Sequence, residues 1–227
     1  MTINYDAVII GAGQAGPPLA VRLAGAGRKV AIVERNQFGG TCVNTGCIPT
    51  KTLIASARVA HMARRAMEYG VGIDSSIAVD MKRVKERKDA VVRRSNEGVE
   101  KWLRGTENLT VYQGHARLEG PRQLRIGDEI IEAGQIFINV GARASIPPLP
   151  GRDQVSYFNN SSMMDVDYLP EHLIVVGGSY VGLEFGQMYR RFGSEVTIVE
   201  MGPRLRVRRM REAFEPPGAA AELPHFA

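Results

Sequence analysis

Apolar positions along this chain follow one order that occurs twice. Residues 5–10 are a short β-branched apolar run, followed by a glycine-rich turn, a small-residue stretch to about residue 26 and a second apolar run at 29–33. Short continuous apolar runs bounded by turn residues predict strands buried on both faces, and the stretch between them a helix. The order returns as a run at 172–176, a glycine-rich turn, a helix to about residue 192 and a run at 195–199. In between, helices are predicted over 50–69 and 79–103, the second long and charged. Shorter strands follow at 109–112, 115–118, 123–126 and 129–132, and 135–140 resumes the buried-strand pattern. Pro147, Pro148, Pro150 and Gly151 mark a stiff linker and a domain boundary.

The two glycine turns carry chemistry. Gly11-Ala12-Gly13-Gln14-Ala15-Gly16 stands between strand and helix, the context that gives a dinucleotide fingerprint its meaning. Gly11 permits the tight turn, Gly13 lets backbone approach a pyrophosphate, and Gly16 lets helix and strand pack closely. The helix start adds free N–H groups and a positive dipole end. Pro17 and Pro18 fall in the first helical turn, where a missing N–H costs little. Glu34, closing the second strand, is placed to accept a hydrogen bond from a ribose hydroxyl. In the second copy, Gly177-Gly178-Ser179-Tyr180-Val181-Gly182 opens the helix and Glu200 closes the strand. Ser179 replaces the middle glycine and brings a hydroxyl that can reach phosphate. Tyr180 either gates a pocket or packs. The expected architecture is α/β, with two Rossmann-like dinucleotide-binding folds, the second incomplete. The expected division is 1–150, 151–203 and an aberrant tail at 204–227.

The chain holds two cysteines, Cys42 and Cys47, within Gly39-Gly40-Thr41-Cys42-Val43-Asn44-Thr45-Gly46-Cys47-Ile48-Pro49-Thr50-Lys51. They are close enough to close a small disulfide ring. A paired dithiol in a chain with no secretion signal is more often catalytic or metal-binding than a structural staple. A zinc site needs four ligands, and His61, His115, His172 and His225 stand at no ligand spacing, which favours redox chemistry and no metal site. Cys47 lies just before a helix start expected at Pro49, and Lys51 is one helical turn beyond it. The helix-start field and the lysine both favour a thiolate there.

Length and charge narrow the partners. At 227 residues the chain has room for one large domain or two small ones. No apolar run approaches the ~20 residues a bilayer span needs, and the start lacks a charged segment followed by an apolar one. We therefore expect no membrane partner, no signal peptide and a cytoplasmic location. The net charge of +5 is concentrated in Arg204, Arg206, Arg208, Arg209 and Arg211 and in a run over 82–94. Neither run has interleaved aromatics or a nucleic-acid module, so no nucleic-acid partner is expected.

Two dinucleotide fingerprints with CxxxxC after the first resemble the flavoprotein disulfide reductases, the pyridine nucleotide-disulfide oxidoreductase family. That group includes dihydrolipoamide dehydrogenase, glutathione reductase, soluble transhydrogenase and mercuric reductase. The GQAGPPLA and GGSYVGLEFGQMYRRFGSEVTIVE stretches look most like its mercuric-reductase-like branch. The resemblance covers residues 1 to about 203. It implies FAD in the first fold and NADH or NADPH in the second. Gly11, Gly13, Gly16 and Glu34 would hold the FAD pyrophosphate and ribose, Gly40 and Thr41 would meet its phosphates, and backbone near His115 and Ala116 would face its adenine. Gly141 and Arg143 resemble the return segment beside the flavin. Gly177, Ser179 and Gly182 would cradle the nicotinamide dinucleotide, with Tyr180 at its pocket. Glu184 matches the acid near the flavin and nicotinamide rings, where it would pair with Lys51. Cys47 would be the sulfur against the flavin and Cys42 the interchange thiol. Electrons would pass from NAD(P)H through FAD to the Cys42–Cys47 disulfide and on to a disulfide or metal-ion substrate. Glu200 suits a free 2′-hydroxyl and favours NADH, while Arg204 and Arg206 leave NADPH open.

The alternative is a nucleotide-binding fragment without turnover. A full-length member of the family is a homodimer about twice this long, with an interface domain carrying an acid–base His–Glu pair. That domain, and with it the dimer interface, is not expected here. The arginine-rich, then Pro/Ala/Gly-rich tail fits a frameshift or premature stop better than a designed terminus. A thioredoxin-reductase-type arrangement would place a CxxC in the second fold, against the spacing seen.

Overall fold

Strand β1 (Ile3–Ile10) forms where Ala7, Val8 and Ile9 are all fully buried, and β2 (Val30–Glu34) likewise buries Val30 to Val33. Burial on both faces explains why these runs are continuously apolar. The structure is a computed structural model, and it describes residues 3–73, 76–202 and 205. It divides into two compact units. One comprises Met1–Ser56 with Asp80–Tyr168, and the other comprises Ala57–Val79 with the described residues from Leu169 onward. The proline-rich stretch around Pro147 lies inside the first unit.

In the first unit, a six-stranded sheet has the order β3-β2-β1-β6-β5-β4, with β3 at Leu109–Gln113, β4 at Ala116–Leu118, β5 at Gln123–Ile126 and β6 at Glu129–Ile138. β3, β2, β1 and β6 run parallel, and β4, β5 and β6 form an antiparallel meander. Helix α1 (Gly16–Gly25) and the long α4 (Met81–Arg104) cover one face. There Ala7, Ile9, Val30 and Ile32 pack with Ala20, Ala24 and Leu103. On the other face Val8, Ala31 and Val33 meet Leu124, Ile126 and Ile131 of the meander. Small residues at Gly16, Ala20 and Ala24 let α1 lie close to the strands. A fully buried Ile or Leu in this core contributes about 1.5–3 kcal/mol.

Two expectations are corrected here. The strands expected at 129–132 and 135–140 are one strand, β6. Gly134 does not break it; the ladder to β1 runs from Ile3↔Ile131 to Ile10↔Ile138, and a Cβ at Gly134 would come 3.0 Å from the Asp6 carbonyl. The helix expected to start at Pro49 is α3 (Cys47–Arg64), preceded by a short α2 (Gly40–Asn44). Its first helical bond runs from the Thr50 N–H to the Gly46 carbonyl at 3.0 Å. Pro49 sits inside the first turn, where no N–H is needed. After α3 the chain makes a 3-10 turn, Ala66–Tyr69.

Lys88 is nearly fully buried on α4. Its ammonium is paired with Asp89 and donates to the Met164 carbonyl at 2.8 Å, so the charge is compensated and fastens the segment after the linker to α4.

In the second unit, β7 (His172–Val176) and β8 (Glu195–Val199) form a parallel two-stranded sheet in register from His172↔Glu195 to Val176↔Val199. Helix α5 (Tyr180–Phe192) joins them and buries Phe185, Met188, Tyr189 and Phe192. The Tyr189 and Phe192 rings meet edge-on with centroids 6.0 Å apart. A Cβ at Gly182 would lie 3.2 Å from Val175, and one at Gly186 would lie 3.1 Å from Ile198, so α5 covers that face of the strands closely. On the opposite face Ile174, Val176 and Val199 are 62, 57 and 49% exposed. No helix among the described residues is long and apolar enough to cross a membrane.

Candidate functional site

The first glycine turn is held from three sides. The Gly11 N–H donates to the Val33 carbonyl at 2.8 Å, with φ at +106°. A Cβ at Gly11 would meet the Asn139 carbonyl at 2.3 Å, and one at Gly16 would meet the Gly11 carbonyl at 2.0 Å. Both glycines are therefore required by the protein's own packing. Gly13 is different. The nearest atom a Cβ there would meet is the Gly40 Cα, 4.0 Å away, so nothing within the protein demands its missing side chain. What Gly13 keeps clear is the outer side of the turn, at the N-terminus of α1, where a pyrophosphate would lie. The residues present fit that group.

A second loop lines this cradle. The Gly39 N–H donates to the Ala12 carbonyl at 2.7 Å, and a Cβ at Gly40 would sit 2.7 Å from the Gly13 Cα, so two backbones touch. The loop is braced by side chains that the sequence reading missed. Asn44 Nδ2 donates to the Phe38 and Gly40 carbonyls at 2.8 and 2.9 Å, and Asn96 Nδ2 on α4 donates to Phe38 at 2.8 Å and to Asn44 Oδ1 at 3.0 Å. Asn44, inside the CxxxxC motif, offered a signal; Asn96, far along the chain, offered none.

Glu34 closes the cradle. Its two carboxylate oxygens accept from the Ala12 N–H at 2.9 Å and the Asn36 N–H at 2.8 Å, leaving lone pairs for a hydroxyl donor. The Gly114 N–H donates to the Glu34 carbonyl at 2.8 Å, which brings the exposed His115 and half-buried Ala116 beside this acid. A cavity of about 410 Å³ opens there, lined in part by Gln113, Gly114, His115 and Arg125. Gly141, with φ at +70°, and Arg143 follow β6 and are exposed.

The dithiol is built by a short helix and a turn. Cys42 lies in α2 and Cys47 is the first residue of α3. Gly46 makes the turn between them possible, since a Cβ there would come 2.9 Å from the Thr41 carbonyl and 3.3 Å from the Cys42 Cα. Both are free thiols, Cys42 half-buried and Cys47 exposed, within hydrogen-bonding reach of each other. Burial first, then the hydrogen bond and charge of Cys47, push the Cys42 thiol above its ordinary pKa. Thr41 and Lys51 are exposed, Lys51 one turn beyond Cys47 on α3. Among the described residues, no group of three or more His, Cys, Asp or Glu is arranged to hold a metal.

The second turn repeats the first. Gly177, with φ at +107°, donates its N–H to the Val199 carbonyl at 2.8 Å, and a Cβ at Gly182 would meet the Gly177 carbonyl at 2.1 Å. Glu200 accepts from the Gly178 N–H at 2.7 Å and the Gly202 N–H at 2.9 Å, and these backbone amides, Gly202 first, hold its carboxyl below the usual range. Ser179 is the N-cap of α5 without a side-chain capping bond, and Tyr180 at the first helical position is 58% exposed rather than packed. Glu184 lies half-buried one turn further along α5. Arg204 and Arg206 fall outside the described residues.

A dithiol beside one strand–glycine turn–helix unit, with a second such unit in the same chain, defines a Rossmann-like α/β fold. The profile of the family described as pyridine nucleotide-disulphide oxidoreductase matches residues 5–217, and the chain belongs to that family. It is 33% identical over 205 residues to dihydrolipoyl dehydrogenase from Acholeplasma laidlawii, covering 88% of this chain and 61% of that protein. To mercuric reductase from Bacillus cereus it is 32% identical over 204 residues, covering 89% and 32% respectively. The solved structure of the HOCl-induced flavoprotein disulfide reductase RclA from Escherichia coli superposes with a TM-score of 0.77 at 36% identity, covering 88% of this chain and 43% of that one. The chain thus spans less than two-thirds of the length of each.

Proposed function

We propose that this chain is the FAD-binding and nicotinamide-side portion of an NAD(P)H:disulfide oxidoreductase, with Cys42 and Cys47 as its redox pair. The observation that carries the reading is the contact between a glycine cradle with spare room at Gly13 and the Gly39–Gly40 loop, which leads directly into helix α2 and the dithiol. FAD, when bound, supplies a carrier that takes a hydride from a nicotinamide and returns two electrons to a disulfide. Gly11, Gly13, Gly16, Gly40 and Thr41 hold its pyrophosphate, Glu34 its ribose, the backbone at His115 and Ala116 its adenine, and Gly141 and Arg143 flank it. Gly177, Ser179, Tyr180 and Gly182 take the nicotinamide dinucleotide. Lys51 and Glu184 are the charged groups that serve the same reaction. Glu200, already ionised by two amide donors, accepts from a 2′-hydroxyl and repels a 2′-phosphate, which favours NADH.

Two electrons break the Cys42–Cys47 bond and leave one thiol and one thiolate, the proton coming from solvent. Cys42 as thiolate then attacks a substrate disulfide, forming a mixed disulfide and releasing one substrate thiolate. Cys47 attacks Cys42 in turn, re-forming the ring and releasing the second thiolate. A pair of this kind also suits a soft metal ion. Among the relatives, dihydrolipoyl dehydrogenase and mercuric reductase carry names that fall in these two substrate classes, and RclA has been solved as a Cu(II) complex.

The second reading is a nucleotide-binding portion that holds cofactor without turnover, favoured by the bare Ile174–Val176–Val199 face. One experiment separates the two. The disulfide form of the FAD-loaded chain is mixed anaerobically with NADH and its thiols are counted by alkylation. Two new thiols per chain, absent in Cys47→Ser, support the oxidoreductase. Retained flavin with no new thiols supports the binding-only portion, and failure to retain FAD overturns both.

A further inference from the structure

Asparagine is an unfavourable choice inside a helix, because its amide competes with the backbone for hydrogen bonds. Asn96 nevertheless stands well inside α4, half-buried, on the side that Val99 and Leu103 turn to the core three and seven residues later. Its amide reaches across to another element. Asn96 Nδ2 donates to the Phe38 carbonyl at 2.8 Å and to Asn44 Oδ1 at 3.0 Å. Asn44 Nδ2 donates in turn to the same Phe38 carbonyl at 2.8 Å and to the Gly40 carbonyl at 2.9 Å. Phe38 is itself fixed, its ring buried with Leu103 in the core. Two amides and one carbonyl thus form a closed ring of hydrogen bonds between α4 and the loop that leads into α2.

What that ring holds is the junction between the cradle and the dithiol. Asn44 is the last residue of α2, the short helix that carries Cys42, and it lies between Cys42 and Cys47 in the chain. Five residues are too few to hold a helix by their own hydrogen bonds. At the other end of α2, Gly40 backs onto Gly13, with a would-be Cβ only 2.7 Å from the Gly13 Cα. A side-chain amide can point either way round. The Asn96 donor keeps Asn44 Oδ1 toward α4 and Asn44 Nδ2 toward Phe38 and Gly40. All of these residues belong to the first compact unit.

We propose that Asn96 is a positioning residue for both parts of this site: by orienting Asn44 it holds Cys42 ready to close on Cys47 and keeps Gly40 against the glycine cradle. This rests on the reading of the cysteines as a redox pair and of the cradle as an FAD site. Asn96 touches no reacting group, and its effect passes through Asn44 and α2. When the Cys42–Cys47 bond forms, an external disulfide takes up the two electrons and two protons and leaves as two thiols. A looser α2 makes that closed form harder to reach.

The test compares the full wild-type chain with Asn96→Ala and Asn96→Asp. Alanine favours the helix itself, so α4 is not weakened, and aspartate keeps the size but loses the amide donors. Ser95→Ala is the control, because the Ser95 hydroxyl donates within α4, to the Val91 carbonyl at 2.9 Å. Each chain is equilibrated with mixtures of reduced and oxidised dithiothreitol, alkylated and weighed, which gives the equilibrium constant for closing Cys42–Cys47. That constant falls about tenfold in both Asn96 variants, a rise in reduction potential of about 30 mV. FAD affinity, followed by fluorescence titration, falls about fivefold or more. Ser95→Ala stays within about twofold of wild type in both measurements. A residue that served stability alone would lower the melting temperature and leave both equilibria in place, so Asn96 variants that match wild type overturn the proposal. So does a change in only one of the two equilibria, since one amide holds both parts, or an equal change in Ser95→Ala. A wild-type pair that does not close defeats the redox reading and the proposal with it. A wild-type chain that takes up no FAD defeats the cofactor reading alone, and the dithiol equilibrium then decides for or against Asn96.

Discussion

The two nucleotide folds of this chain share one turn and differ in what surrounds it. Gly11 and Gly177 have φ values of +106° and +107°, and each donates its N–H to a valine carbonyl at 2.8 Å. Gly16 and Gly182 each leave room for the carbonyl of that first glycine, at 2.0 and 2.1 Å from a would-be Cβ. Glu34 and Glu200 each accept from an amide of the turn and from an amide two residues on. Yet a Cβ at Gly11 would strike Asn139 at 2.3 Å, whereas one at Gly177 would meet nothing within 4 Å. Asn139 follows β6, which flanks β1; among the described residues β7 pairs with β8 alone. The turn is thus a local device that strand, helix and acid make by themselves. Its burial is added by the third strand.

Substitutions can break this comparison where it predicts sameness and sharpen it where it predicts difference. The largest effects belong to Gly16→Ala and Gly182→Ala, each forcing a Cβ to about van der Waals overlap with a carbonyl. Each should cost more than about 4 kcal/mol in its own fold. Gly182→Ala should leave FAD bound and abolish nucleotide binding in the second fold. Thermal unfolding together with flavin retention checks this, and loss of flavin in Gly182→Ala would mean the folds are not independent. Next is the unequal pair. Gly177→Ala carries only the left-handed backbone penalty, about 1–2 kcal/mol. Gly11→Ala adds the Asn139 clash and should cost about 3 kcal/mol or more, read from urea midpoints. Equal costs would show that β6 does not constrain the turn. The smallest stability effect is Gly13→Ala, within about 0.5 kcal/mol because the site has room. Its FAD affinity, followed by fluorescence titration, should nevertheless fall about tenfold or more as the methyl group enters the phosphate space.

Where local chemistry determined the structure, the sequence was readable. β1, α1 and β2, and their counterparts β7, α5 and β8, were legible from apolar runs and glycine spacing. Both acids could be placed at strand ends, and the dithiol could be placed against a helix start. What could not be read depended on contacts between distant residues. Gly134 looks like punctuation, and only the β1 ladder shows it to be a strand residue passing close to Asp6. Pro49 looks like a helix opener, and only the Thr50–Gly46 bond shows that Cys47 is already helical. Asn96 carries no motif; it acts on carbonyls that tertiary packing brings to it. In the site, the division of the glycine roles was legible from their spacing, and the packing agrees with it: Gly11 and Gly16 are closed off by carbonyls 2.3 and 2.0 Å from a would-be Cβ, whereas Gly13 has nothing nearer than 4.0 Å.

The pairing of β1 with β6 sets a schedule for making the protein. Ile3 is joined to Ile131 and Ile10 to Ile138. At about 5–20 residues per second, on the order of ten seconds separate the synthesis of β1 from that of its neighbour. During that interval β1, α1 and β2 can associate, but one edge of β1 offers unpaired N–H and C=O groups to any extended chain nearby. Entropy alone penalises such a long closure only weakly, because its cost grows with the logarithm of the loop. The exposure is one of time. The strand that brings Asn139 against Gly11 is the last of the first sheet to be synthesised, and the glycine turn gains its third wall only when that strand arrives.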